Sequence, residues 1–172
     1  PKNPIDRVSA WLLSFFWNWW ALEKMRGFLD FIGLNFYIFK KINFLFKDKA
    51  DYTNVSDFGW QIYPRAIYTA LIALKERFNL PLYITENGIA DAKDKKREGY
   101  IKEHLFWVQK AIEKGADVRG YIYWSLLDNF EWHKGRKMRF GLIEVDYKTM
   151  ERRIRRSALA FADIAKNNTL EV

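Results

Sequence analysis

The sequence predicts an α/β fold assembled from parallel strand and helix units, and three observations support it. Apolar strand-like runs alternate with amphipathic helical segments, the order expected of β/α units. The strand-like runs are continuously apolar, as parallel strands are. Each also ends in a side chain suited to chemistry, namely Tyr37, Glu86 and Trp124. Polar and aromatic groups at the C-terminal ends of successive parallel strands are what the active site of a β/α barrel is made from. An open doubly wound sheet would hold ligands at the same ends, but neither of the usual glycine-rich phosphate loops, GxGxxG or GxxxxGK followed by Ser or Thr, occurs.

The elements follow in chain order. The most apolar block, WLLSFFWNWWAL from Trp11 to Leu22, comes first. It falls short of the ~20 apolar residues that span a bilayer, and no basic signal-like start precedes it. It is therefore expected as a helix that is buried or covered by a partner. LDFIGLNFYIF reads as a buried strand in which Gly33 lets a neighbour approach closely. A loop rich in Asp, Asn and Lys follows. In YPRAIYTALIALKERF, Ile67, Leu71, Leu74 and Phe78 recur at helical spacing behind Pro64, a residue suited to a helix start. PLYIT is the next strand. The charged loop ADAKDKKRE leads to a second amphipathic helix, with Ile101, Leu105, Val108 and Ile112 on one face and Gly115 as its stop. RGYIYWSLL reads as strand again, and SALAFADIAKN closes the chain as a helix with Ser157 as N-cap.

Composition narrows the functions. The 172 residues, 49% hydrophobic and 29% charged, suit one soluble domain with a sizeable core. The absence of cysteine excludes disulfides and thiolate metal sites and permits a reducing cytoplasm, the location expected. Histidine occurs only at His104 and His133, far apart, so no metal or other cofactor is expected. The net charge of +8 comes from lysines and arginines spread among acidic residues, which reads as a solvated surface rather than a nucleic-acid footprint. The densest cluster, ERRIRR from Glu151 to Arg156, lacks the aromatic interleaving that stacks bases and is expected as surface. The chain begins at Pro1 without an initiator methionine, as a processed or recombinant product or a piece of something longer would.

Glu86 sits where an apolar run stops, between Thr85 and Asn87 with Gly88 just beyond. Taken alone it reads equally as a structural acid capped by amides. Its surroundings shift the balance. WSLLDNFEW, from Trp124 to Trp132, brings two tryptophans, carboxylates and an amide to the end of the next strand. Such a mixture is costly to bury unless it holds a polar, flat-faced ligand. A sugar is such a ligand, because its C–H faces stack on aromatic rings while its hydroxyls seek acceptors such as a carboxylate.

YITENG followed by GYIYWSLLDNFEW, MRFGLIEVDY and RRSALAFADI resembles the C-terminal part of family 1 glycoside hydrolases, the β-glucosidases and β-galactosidases, with an archaeal flavour in MRFGL. DFIGLNFY, DFGWQIYP and REGYIKEHL match further family motifs in the family order. The resemblance runs from about Asp30 to Asn167, and residues 1–29 carry no matching motif. It implies a partial (β/α)8 barrel holding strands six to eight, in a single incomplete domain with residues 1–29 as a Trp-rich helical lead-in. It also implies hydrolysis of β-glycosides with retention. On that resemblance Glu86 is the nucleophile, and Tyr37 hydrogen-bonds and tunes it, with Asn35 in the same strand-end cluster. Trp124 is the platform under the sugar, Glu131 accepts from its O4 and O6 hydroxyls, and Trp132 donates to O3. Phe140 lines the pocket, and Trp60 reaches the aglycone side. Two departures, Phe36 ahead of Tyr37 and Arg156 where archaeal members often have proline, leave these assignments intact.

A larger departure is an absence. The family's acid is the glutamate of an Asn-Glu-Pro motif, and no such triplet occurs. A retaining mechanism needs that second carboxylate about 5–5.5 Å from the nucleophile, and neither Glu131 nor Asp128 is expected to replace it. Three strands also cannot close a barrel that typically takes about 250 residues. They would leave two raw sheet edges and an uncovered apolar face, to be met by a missing N-terminal half or an oligomeric partner. The Trp-rich block would pack there, and the +8 charge would be offset by an acidic complement. Two rival readings are a non-catalytic carbohydrate-binding remnant that keeps Trp124, Glu131 and Trp132, and a membrane-surface or interaction module built on residues 11–22.

Overall fold

The structure, a computed structural model, describes residues 3–40 and 53–170. In chain order it contains α1 (Pro4–Ser14), a π-helical turn (Phe15–Trp19), α2 (Trp20–Met25), β1 (Ile32–Phe36), α3 (Arg65–Phe78), β2 (Leu82–Asn87), α4 (Arg97–Glu113), β3 (Val118–Tyr123), β4 (Ile143–Val145), β5 (Arg152–Ile154) and α5 (Arg156–Asn167). The strands β1, β2 and β3 form one parallel sheet in that order, with Ile32 opposite Leu82 and Leu82 opposite Val118. β2 is thus the central strand. The alternation of elements predicted from the sequence is present.

The core lies between this sheet and its helices. Ile67, Leu71, Leu74 and Phe78 of α3 are all buried, together with Ile32, Leu82, Ile84, Val108 and Ala111. Their helical spacing forms one apolar stripe facing the sheet. Pro64 stands at the N-cap of α3, and Asn79 closes the helix in the left-handed region at φ 52°, its amide donating to the Lys75 carbonyl at 2.9 Å. Gly33 does allow the close approach expected of it. A Cβ there would stand 3.1 Å from the Thr85 methyl.

The buried face of α4 differs from the expected one. Ile101 and Val108 are buried, but Ile112 is 48% exposed and the stripe runs through Arg97, Tyr100, His104 and Ala111 instead. These polar groups can be buried because each finds a partner. The His104 Nδ1 lies 2.8 Å from the Tyr100 carbonyl, and the Tyr100 hydroxyl receives an Asn87 amide proton at 2.9 Å. Gly115, at φ 85°, follows the helix as its stop.

Ser157 does not cap α5 with its own side chain, because it lies inside the helix and Arg155 is the N-cap residue. Asp94, from the loop ahead of α4, does the capping. Its carboxylate accepts from the Ser157 hydroxyl at 2.6 Å and from the Ser157 amide at 3.1 Å. A carboxylate at a helix N-terminus satisfies an orphan amide wherever it comes from in the chain. Arg155 also departs from the surface expected of its cluster, since it is buried against Asp128.

The tryptophan-rich block is helical but not buried by the described residues. Trp17 is 85% exposed, and Trp11, Phe16 and Trp20 are exposed as well. Only Trp19 and Leu22 pack on the core, with Trp19 6.4 Å from the Phe78 ring. Glu23 binds both Arg26 and Arg77, fixing α2 to the end of α3. Among the described residues no helix is long and apolar enough to cross a membrane.

A β4–β5 antiparallel hairpin was not anticipated. Each strand has three residues and β5 is wholly exposed, so neither leaves an apolar run to read. Most of the Asp-, Asn- and Lys-rich loop lies outside the described residues. Among the described residues the sheet has only its three strands, and Phe31 and Ile122 stand more than half exposed.

Candidate active site

Because β2 is central, a side chain at its C-terminal end is flanked by the ends of both neighbours. Glu86 is the penultimate residue of β2, Tyr37 immediately follows β1, and Trp124 immediately follows β3. The Tyr37 hydroxyl donates to Glu86 Oε2 at 2.6 Å. Burial, reinforced by that carboxylate, holds the Tyr37 phenol well above its ordinary range. It stays protonated, and so stays a donor, at any ordinary pH.

The strand end is held from behind. Asn87 is fully buried, its amide donating to the Phe36 carbonyl at 2.6 Å and its side-chain oxygen accepting from the Tyr121 hydroxyl at 2.7 Å. Gly88 then passes directly under the chain after β3. A Cβ on Gly88 would fall 1.8 Å from the Trp124 carbonyl oxygen, so only glycine fits. The Trp124–Ser125 peptide bond is cis.

Trp60 reaches the same place from the loop before α3. It stacks on Phe58 with ring centres 4.0 Å apart and lies 5.4 Å from the Tyr37 ring. Gly59, at φ 84°, provides the turn between them. The loop is tied to the segment after β2 by the Asp57 carboxylate, which accepts from the Ala92 amide at 2.7 Å.

The segment from Trp124 to Phe140 forms the remaining wall. Ser125 donates to the Leu127 carbonyl at 2.7 Å, and Asn129 donates to Glu131 Oε2 at 2.9 Å, fixing that carboxylate. Phe140 is buried and packs edge-on to Tyr37 at 6.2 Å. Trp132, in contrast, is 82% exposed. Asp128 belongs to the framework rather than to the cavity. Its two oxygens accept from Arg155 at 3.0 Å each, from Arg139 at 3.3 Å and from the amides of Gly141 and Val145.

Together Tyr37, Trp60, Glu86, Trp124, Glu131, Trp132 and Phe140 line a cavity of about 260 Å³. Seven of the eight residues singled out from the sequence therefore meet. Asn35 does not line the cavity. It lies opposite Glu86 in the sheet register, but its side chain accepts from the Thr85 hydroxyl at 2.7 Å. Sequence reasoning assigned no role to Phe58, although it stacks on Trp60, or to the buried side chain of Asn87. The first sits beside a residue already singled out. The second is part of the family motif YITENG, which assigns it no task of its own.

The cavity offers two carboxylates and several aromatic faces, the chemistry suited to a polyol ring. Among the described residues no group of three or more His, Cys, Asp or Glu stands together to hold a metal.

The family model of glycosyl hydrolase family 1 matches residues 18–170, beginning ahead of the first motif recognised in the sequence. A β-galactosidase of Saccharolobus solfataricus is 40% identical over 164 residues, which cover 86% of this chain and 34% of that protein. β-Glucosidase A of Thermotoga maritima is 39% identical over 170 residues, covering 87% and 37% respectively. A solved β-glycosidase from Pyrococcus horikoshii superposes on all of this chain and on 46% of its own, with a TM-score of 0.92 and 38% identity. The chain thus spans about a third of the length of these curated relatives and under half of that solved chain. The cavity at the strand ends and the match over residues 18–170 lead to one assignment: the chain belongs to glycosyl hydrolase family 1.

Proposed function

We propose that this chain supplies the nucleophile and the sugar platform of a retaining β-glycosidase, and that β1, β2 and β3 correspond to strands six, seven and eight of a (β/α)8 barrel. The observation that supports this best is the 2.6 Å hydrogen bond from Tyr37 to Glu86 inside a cavity walled by Trp60, Trp124, Glu131 and Trp132. The relatives named β-galactosidase and β-glucosidase support a β-glucoside or β-galactoside as substrate.

In this reading a carboxylate oxygen of Glu86 attacks the anomeric carbon while the bond to the leaving oxygen breaks, giving a glycosyl-enzyme that water then hydrolyses. Tyr37 holds one carboxylate oxygen and leaves the other to attack. Trp124 lies under the ring, Glu131 accepts from the O4 and O6 hydroxyls, Trp132 donates to O3, Phe140 closes the pocket wall, and Trp60 faces the aglycone. Asn35 serves the strand-end cluster from its bond to Thr85. The general acid must approach the leaving oxygen at about 5–5.5 Å from the nucleophile. Asp128 is engaged by Arg155 and Glu131 by Asn129, so the acid is assigned to a complementary portion of the barrel that also covers the open sheet face. That portion is the partner proposed here.

The test uses an activated 2-fluoro-glucoside, whose leaving group departs without acid assistance, followed by intact-mass spectrometry. A covalent adduct mapping to Glu86, absent in Glu86→Gln, is the expected result. No adduct in a folded sample would overturn the reading that this chain alone forms a working nucleophile site.

A further inference from the structure

Asn87 is placed so that it governs the contact between Tyr37 and Glu86 without touching the cavity. It follows Glu86 directly on β2 and is fully buried. One amide proton goes to the carbonyl of Phe36 at 2.6 Å, and Phe36 directly precedes Tyr37. The second goes to the Tyr100 hydroxyl on α4 at 2.9 Å. The side-chain oxygen accepts from the Tyr121 hydroxyl on β3 at 2.7 Å. Since the Phe36 carbonyl can only accept, the amide nitrogen must face it, which fixes the orientation of the whole group. One side chain therefore ties the last residue of β1, the last residue of β2, β3 and α4 at a single level.

That level is where the sheet register is irregular. The pairing of β1 with β2 shifts between Leu34 and Asn35, and that of β2 with β3 shifts between Ile84 and Asn87 as well as between Leu82 and Tyr83 at the start of the strand. Backbone pairing alone therefore specifies the relative height of the two strand ends weakly here. The fully satisfied amide supplies the missing constraint.

We infer that Asn87 is a positioning residue that sets the Tyr37–Glu86 hydrogen bond by fixing the carbonyl of Phe36 against the strand carrying Glu86. For its effect on chemistry, the inference rests on the reading of Glu86 as nucleophile. The geometric part does not.

The experiment therefore has two readouts on the full chain. The first is the alkaline titration of the Tyr37 ring, followed by NMR of ring-labelled tyrosine and assigned with Tyr37→Phe. The second is the rate of Glu86 labelling by the activated 2-fluoro-glucoside. In the wild type the Tyr37 ring should stay protonated up to the pH at which the fold is lost, whereas in Asn87→Ala it should ionise while the protein is still folded, because it leaves its buried site and its carboxylate. Labelling should slow roughly tenfold to a hundredfold, the scale expected for a misplacement of about 1 Å. In a Tyr37→Phe background the same substitution should slow labelling little further, since both act on one contact.

Ser157→Ala, which removes a bond to Asp94 and does not line the cavity, is the control. It should lower the melting temperature while leaving both readouts unchanged. Should Asn87→Ala fail to fold, Asn87→Ser, too short to reach Phe36, is expected to give the same shift. An unchanged Tyr37 titration in either folded variant overturns the inference, as does an equal labelling loss with and without Tyr37. Absence of labelling in the wild type would count against the nucleophile reading alone, with the titration still deciding the geometry.

Discussion

Arg155 and Asp128 form a two-point ion pair, with the two terminal guanidinium nitrogens each 3.0 Å from a separate carboxylate oxygen and the Asp128 side chain fully shielded from solvent. The pair joins the start of α5 to the segment that carries Glu131, so it fixes one wall of the cavity to the end of the chain. Removing Arg155 leaves Asp128 buried with only Arg139 at 3.3 Å and the amides of Gly141 and Val145, so the cost should fall at the low end of that for breaking a buried pair, about 3 kcal/mol. Arg155→Met is accordingly expected to lower stability to denaturant by that amount. Arg153→Met, on the exposed pair with Glu151, should leave the denaturant midpoint close to that of the wild type. Equal effects from the two would show that the Asp128 cluster is not the clamp described.

Gly88 and Gly99 should respond in opposite directions to the same substitution. A methyl at Gly88 would meet the Trp124 carbonyl at 1.8 Å, whereas Gly99, in the first turns of α4, has nothing within 4 Å. Gly88→Ala must push the β3 end away, at a cost of about 1–3 kcal/mol or more, and under the proposed function should abolish the change in tryptophan fluorescence expected on adding a sugar. Gly99→Ala should raise stability by about 0.5–1 kcal/mol through helix propensity and reduced freedom of the unfolded chain. Thermal unfolding of the two variants beside the wild type decides the matter.

The strands and the α3 stripe were legible because continuous apolar runs and a regular Ile67, Leu71, Leu74, Phe78 spacing record burial directly. Of the residues that meet in the cavity, Tyr37, Glu86 and Trp124 stand out in the sequence at the ends of apolar runs, Glu131 and Trp132 in the aromatic and acidic stretch after the third, and Trp60 and Phe140 through the family resemblance alone. What escaped had tertiary causes. His104 and Tyr100 replace Ile112 on the buried face of α4 because their polar atoms find partners there, which no periodicity displays. Ser157 takes its cap from Asp94, 63 positions away. Arg155 sits in a basic run that looks solvated, and only the fold brings Asp128 to it.

Glu131 is expected to bind sugar rather than stabilise the fold. Its carboxylate is held by Asn129 at 2.9 Å and faces the cavity. A hydrogen bond to a charged group contributes about 1.5–3 kcal/mol, so Glu131→Ala should weaken binding of an iminosugar at least about tenfold while thermal unfolding barely moves. Fluorescence titration measures the first and calorimetry the second. Unchanged affinity would remove Glu131 from the sugar site.

His104 should make the protein progressively less stable on mild acidification. Burial pushes its imidazole down from 6.5 to about 4, and the ring hydrogen-bonds the Tyr100 carbonyl through Nδ1. Well above pH 6.5 the ring is neutral in both the folded and the unfolded chain and adds no pH dependence. Below that value the unfolded chain takes up a proton that the folded chain refuses, so stability falls with pH until the folded ring also protonates near 4. The loss across the window amounts to about 3 kcal/mol. Burial, the largest single influence on Asp94, raises its carboxyl, but the bonds from Ser157 and the charge of Arg97 together hold it below its ordinary value. Its contribution is lost only as pH falls below the ordinary carboxylate range, so the two groups separate. Denaturant midpoints measured from pH 7 to pH 4 should slope downward in the wild type and flatten in His104→Gln, which cannot be charged. A slope of the same size in both proteins would show that His104 is not the group responsible.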